Sequence, residues 1–237
     1  IILLTIFNLL SIYNTMFANR AYVTKLRYNN KETIYRDYDD DNTFFKDMNL
    51  DKDIIQCLER NGCRRVNKTQ FDIITSITSN NGHNTCTPSL TGSGYSLAYL
   101  IGICNSINRE CKQLQAIIIL PHCYIAYNMH MIAKQYFGEY IDMAFMSKNI
   151  DTHGVTPQII FTILPLLSTI AIKFNAEHVQ KIVCSNIEEL LLGKHVSLFY
   201  SALNFLPKDI TQLLYCCTMS KNTEQYCEFI NATILLN

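Results

Sequence analysis

A loop, a helix and a buried strand follow one another between residues 80 and 121, and this succession does most to limit the folds open to the chain. Residues 80–94, NNGHNTCTPSLTGSG, are dense in Asn, Gly, Ser, Thr and Pro, which favour turns over periodic structure. The following YSLAYLIGICNSIN carries Leu97, Leu100, Ile101 and Cys104 at helical spacing, with Ser96 near the helix start. Next comes LQAIIILPH, short, β-branched and stopped by Pro121, which predicts a strand buried on both faces. The expected class is therefore α/β.

The remaining segments fit one domain. At 237 residues, 49% apolar and 17% charged, the chain can bury a sizeable core. AYVTKLRY alternates like a strand, and the Asp37, Asp39, Asp40 and Asp41 run after it reads as a solvated loop without EF-hand spacing. Residues 158–174, QIIFTILPLLSTIAIKF, are the most apolar of the mature chain. Pro165 splits them and they are short for a membrane span, so they are expected to form a buried core element. The segment EHVQKIVCSNIEELLLGKHVSLFYSALNFL has helical periodicity, and CEFINATILL ends the chain as an expected strand.

The first residues set the expected compartment. IILLTIFNLLSIYNTMFA is a short apolar run interrupted by Asn8, Ser11 and Asn14, which suits a signal peptide over 1–18 ahead of a single secreted domain over 19–237. Ten cysteines follow it, and an even count in a secreted chain implies disulfides. Asn67 and Asn231 head glycosylation sequons. No CxxC or cysteine–histidine grouping suggests a metal, and twenty basic residues balance twenty acidic ones, so no net field draws the chain to nucleic acid or membrane.

Within TGSGYSLAYLIG, Gly94-Tyr95-Ser96-Leu97-Ala98 is close to the GxSxG elbow that presents a nucleophilic serine. Small residues flank Ser96, and the N–H of Leu97 would line an oxyanion hole. The plainer alternative is that Ser96 only caps a helix. No GxxxxGK[ST] loop, GxGxxG or HExxH occurs, so nucleotide and zinc-protease chemistry find no support in the pattern, and no cofactor is expected.

Several segments in order resemble the pancreatic lipase family, in its insect lipase and venom phospholipase A1 branch. SGYSLAYLIGICNSI is similar to that family's elbow and helix, and LQAIIILPH to the strand ending in its GLDPA motif. GEYIDMAF is similar to its "aefVDviHt" block, and CSNIEELLLGKHVSLFYSAL to its CSHxRA segment. The resemblance implies an α/β-hydrolase-like fold with an incomplete central sheet and flanking helices, because too few residues separate RNGC, at Gly62, from Ser96 for the family's upstream strand. It also implies a lost triad, with Leu120 at the position of the acid and Asn186 at that of the base. The implied function is a secreted, inactive lipase-like protein binding lipid or a protein partner, with no nucleic acid and no stable membrane span. Two alternatives remain open: a cysteine-rich, mainly helical secreted binding protein or effector, and an esterase with a shifted triad drawn from His178, His195, Asp142 and Asp151.

Overall fold

The computed structural model describes residues 43–79, 82–89, 92–147 and 156–235, with the backbone of strands β1 (Val23–Tyr28) and β2 (Lys31–Arg36). The signal segment over 1–18, the Asp37–Asp41 run and Asp151 lie outside the described residues. β1 and β2 pair antiparallel as a separate two-stranded sheet.

The main sheet has seven strands, all parallel. In chain order they are β3 (Thr85–Pro88), β4 (Ala116–Ile119), β5 (Met143–Phe145), β6 (Ile159–Thr162), β7 (Lys181–Ser185), β8 (Thr211–Cys216) and β9 (Thr233–Ile234). Across the sheet they run β5-β6-β4-β7-β8-β3-β9. Strands β3, β4, β6 and β7 are buried along their whole length, which is why their sequences, apart from Lys181 at the start of β7, are continuous apolar or uncharged runs rather than alternating ones.

Period-two geometry divides these strands between two cores. Ala116, Ile118, Phe161, Val183, Leu213 and Tyr215 face helices α1 (Lys52–Arg60), α2 (Lys68–Thr78), α3 (Tyr95–Ser106) and α4 (Cys123–Phe137). Cys86, Ile117, Ile160, Ile182, Cys184 and Leu214 face α5 (Leu167–Lys173), α6 (Ile187–Leu190), α7 (His195–Leu203) and α8 (Lys221–Phe229). Local chemistry starts several helices. The Asp51 carboxylate accepts from the Asp53 N–H, Asn67 and Gln70 form a reciprocal capping box, and Ser220 accepts from the Thr223 N–H.

At the amino edge of the sheet, two buried glutamines satisfy converging backbone groups. Gln115 Nε2 donates to the Asn108 and Cys111 carbonyls, each at 2.8 Å. Gln158 Nε2 donates to the same pair at 3.1 and 3.0 Å, and its Oε1 accepts the Asp142 N–H at 3.2 Å.

Several expectations are corrected here. The incomplete hydrolase sheet is not found, because the sheet is continuous over seven strands and covered on both faces. The helical reading of the segment after residue 176 missed β7, where the continuous run Ile182-Val183-Cys184 fits helix and strand periods equally; its position between two parallel strands decides for strand. A mainly helical fold is excluded by the same sheet. Among the described residues no disulfide joins any of the ten cysteines. Cys57, Cys86, Cys104, Cys184, Cys216 and Cys227 are buried and act as small apolar side chains. Residues 158–174 divide into β6, a short turn of 3-10 helix containing Pro165, and α5; among the described residues no helix is long and apolar enough to cross a membrane.

Candidate functional site

Open parallel sheets bind ligands beyond the carboxyl ends of their strands. Here the segments leaving β3, β7 and β8 meet at that edge. After β3, the Ser89 N–H donates to the Cys216 carbonyl at 2.8 Å, tying the start of the loop to the end of β8. Gly92 and Gly94 have φ of +91° and +79°, a region that side-chain-bearing residues rarely adopt. A Cβ on Gly94 would also overlap Gln70 Nε2. Gly94 then enters α3, whose first intrahelical bond runs from the Ala98 N–H to the Gly94 carbonyl at 3.1 Å.

A strand, a glycine turn and a helix with free N–H groups at its start are the parts of a phosphate-binding loop. Laid on GxxxxGK[ST], the chain has Ser89 at the first glycine, Gly94 at the second, Tyr95 at the lysine and Ser96 at the hydroxyl position. The sequence pattern missed this loop because both its first glycine and its lysine are absent. The geometry carried the signal instead.

Tyr95 fills the lysine position in a specific way. Its ring stacks on Tyr215 with centroids 5.9 Å apart and an interplanar angle of 22°, and Tyr99 lies 5.1 Å from Tyr215. Its hydroxyl interacts with the Ser96 and Ser185 side chains, so one side chain spans from the start of α3 to the end of β7. Burial raises the phenol's pKa, with Cys217 adding in the same direction.

Beyond β7, Asn186 stands in the left-handed region at φ 57°. Its Oδ1 accepts from the Ser185 hydroxyl at 3.2 Å, and its Nδ2 donates to Cys217 Sγ at 3.8 Å. Glu188 Oε1 accepts the Cys217 N–H at 2.9 Å, and burial raises the carboxyl's pKa above its ordinary 4.5. A carboxyl with a raised pKa binds its proton more tightly in the folded than in the unfolded chain. Its stabilisation is full below pH 4.5 and is lost as the pH rises through the folded value. Glu188→Gln, which keeps the acceptor for Cys217, is expected to raise the melting temperature at neutral pH. Thermal melts across pH should show the gain shrinking to nothing as the pH falls toward 4.5.

The residues singled out in the sequence are placed as follows. Ser96 is the second residue of α3 and Asn186 follows β7, both at the carboxyl edge with Tyr95 between them. Leu97 is half-buried against the α1–α4 core. Leu120 is not brought to Ser96 as a catalytic partner: it is 1% exposed within that core, and its N–H donates to the Thr162 carbonyl. Asn67 caps α2, accepting from the Gln70 N–H at 2.8 Å and donating to the Ser93 carbonyl at 3.0 Å. Asn231 is exposed just after α8 at φ 51°. His178 and Asp142 precede β7 and β5 at the opposite, amino edge, and the exposed His195 ring contacts the Glu189 carbonyl, so no shifted triad assembles among the described residues.

A family model described as DEAD/DEAH box helicase matches residues 67–226, more than half of the chain. The chain belongs to the DEAD/DEAH box helicase family. The solved structures agree on the fold. A DEAD box protein from the hyperthermophile Methanococcus jannaschii superimposes with a TM-score of 0.72 at 17% identity, over 81% of this chain and 55% of that one. Dbp5 of S. cerevisiae bound to RNA and ADP BeF3 gives 0.75 at 19%, over 82% and 52%. A Dbp5 variant bound to Nup159, Gle1, IP6 and ADP gives 0.72 at 19%, over 79% and 53%. The chain thus spans about half the length of these structures. No curated protein matches its sequence.

Membership of the DEAD/DEAH box helicase family overturns the lipase resemblance, the α/β-hydrolase fold and the inactive-lipase function. A nucleophile elbow and a phosphate-binding loop share a strand–glycine turn–helix form, and without its lysine the loop takes on the look of the elbow. The secreted compartment, read from the opening apolar run and the cysteine count, and the partner class without nucleic acid, read from the balanced charge, are withdrawn as well. The nucleophile, acid, base and oxyanion roles of Ser96, Leu120, Asn186 and Leu97 belonged to the lipase reading and are not carried forward.

Proposed function

We propose that this chain is a helicase-family domain that holds a single-stranded nucleic acid at its carboxyl edge and does not turn over ATP. The observation that carries the reading is Tyr95. In phosphate-loop enzymes the lysine at this position reaches the β- and γ-phosphates, the neighbouring Ser or Thr binds Mg²⁺, and an acid at a strand end holds the same ion. A phenol cannot supply the lysine's charge, and here its hydroxyl engages Ser96 and Ser185, the two side chains best placed to approach the metal. Asp-Glu-Ala-Asp and Asp-Glu-Ala-His, the tetrapeptides that the family's description spells, occur nowhere in the 237 residues. The tetrapeptide leaving β7 is Ser185-Asn186-Ile187-Glu188, with its one acid in last place and turned to the Cys217 N–H. Two neutral hydroxyls and the single carboxyl of Glu188 are too little charge to hold a nucleotide–magnesium complex.

Aromatic side chains at the same edge support the nucleic-acid half of the proposal. Pro121 ends the strand segment of β4, and the His122 and Tyr124 rings after it stack at 5.8 Å. Tyr124 is 66% and Tyr127 47% exposed, and Tyr127 packs edge-on against Phe145 of β5. Exposed rings held by a rigid scaffold are sequence-tolerant platforms for unstacked bases.

Two measurements on the purified protein test the reading together. Phosphate release from ATP, with and without single-stranded RNA, is expected to stay at the background rate. Fluorescence anisotropy with a labelled single-stranded RNA is expected to give saturable binding that is indifferent to ATP and weakens with salt. Tyr124→Ala and Tyr127→Ala should each weaken it by about 1–3 kcal/mol. ATP turnover that disappears in Ser96→Ala, or an absence of RNA binding, would overturn the proposal.

A further inference from the structure

The amino edge of the sheet, opposite the glycine turn, contains a cavity of about 170 Å³. Its floor is formed by the first residues of four strands: Thr85 of β3, Lys181 of β7, Thr211 of β8 and Thr233 of β9. Register places them on one face, since Lys181 lies beside Thr211, and Thr85 beside both Leu213 and Thr233. Ser79 and His83 close one side, beyond the carboxyl end of α2.

Two of these side chains are buried without partners. Lys181 is 3% exposed, and among the described residues no hydrogen bond or ion pair holds its amine. Thr85 is 5% exposed and its Oγ1 has no hydrogen-bond partner. Lysines are almost never fully buried unless paired, and an unsatisfied buried hydroxyl also costs stability. No lining residue is acidic, so the cavity offers one cation and several hydroxyls without a balancing carboxylate. The carbonyls ending α2 contribute only a fraction of a charge. Burial lowers the Lys181 pKa, as expected for an ammonium whose desolvation no anion offsets.

We propose that this cavity is a site for a small tetrahedral oxyanion of the phosphate class, held by Lys181 with the Thr85 and Thr211 hydroxyls. A phosphate supplies the missing negative charge and several acceptors for the surrounding donors. The site lies at the opposite edge from Tyr95 and is independent of the reading given above.

Calorimetric titration with inorganic phosphate at fixed ionic strength tests it directly. The wild-type protein is expected to bind saturably, Lys181→Met to bind about tenfold more weakly or worse, and Thr85→Val to fall between them. In the wild-type chain, phosphate should also protect Lys181 from an amine-acylating reagent, read by mass spectrometry, which needs no variant to fold. Competition by a 5′-phosphorylated RNA but not its 5′-hydroxyl counterpart would identify a nucleic-acid end as the source; failure of both to compete would identify free phosphate. The proposal is overturned if phosphate does not saturate, if Lys181→Met binds it unchanged, if Lys181 is not protected, or if acetate binds as well as phosphate.

Discussion

Gly102→Val is expected to destabilise the protein by about 3 kcal/mol, at the upper end of what overpacking costs. Gly102 lies mid-way along α3 and is buried where that helix crosses α2. A Cβ there would sit 2.8 Å from Ile77 Cδ1, 2.9 Å from its Cβ and 3.1 Å from its Cγ2. Ile77 is 1% exposed and β-branched, so its χ1 has little freedom within a helix and the overlap must be relieved by separating the helices. Gly102→Ala gains about 1 kcal/mol of helix propensity, which partly offsets its smaller overlap; valine adds two methyls to that overlap and gains less propensity against it. Urea unfolding midpoints measure both. Combining Gly102→Val with Ile77→Ala should cost less than the sum of the single variants, because one removes the atoms the other strikes.

Gln158→Leu is expected to cost about 2–4 kcal/mol, although leucine is nearly the same size and fully apolar. Gln158 is 0% exposed. Its loss leaves the Asp142 N–H without an acceptor and removes one of two donors from the Asn108 and Cys111 carbonyls. Gln158→Glu should cost more at neutral pH, because it aims a charged oxygen at those carbonyls, and less in acid, where the carboxyl regains a proton to donate. Denaturant titrations at two pH values separate these outcomes. A neutral Gln158→Leu would mean that the glutamine network carries no stability.

The sequence made the first α/β unit legible for physical reasons. The loop reading of residues 80–94 holds for the glycine turn but missed β3, whose Thr85-Cys86-Thr87-Pro88 looks like turn formers, whereas the apolar spacing from Leu97 to Cys104 fits α3, whose Ala98 to Cys104 are buried. LQAIIILPH maps onto β4 with all four of its strand residues buried. Later strands were harder to read. β7 joins directly to α6, and β8 follows a short loop after α7, so their apolar runs merge into the helical pattern on either side. The site was misread at two residues. Serine at 89 and tyrosine at 95 stand where the phosphate-loop pattern has glycine and lysine, and the remaining Gly94-x-Ser96 fits a nucleophile elbow equally well. The departures noted at Asn186 and Leu120 were real features of the chain assigned to the wrong template. Asn186 lies at the strand end that faces Tyr95, whereas Leu120 fills the core.

The division of the strands between two cores bears on how such a chain can diverge. Ser96, Ser185, Asn186 and Glu188 belong to neither apolar cluster, whereas Ile117, Phe161, Val183 and Leu214 are wholly enclosed in one or the other. Drift at the carboxyl edge therefore alters chemistry with little penalty to folding, while drift within the strands is removed because it unfolds the domain. Architecture and activity are inherited through different letters, and a lineage can lose the second while transmitting the first intact.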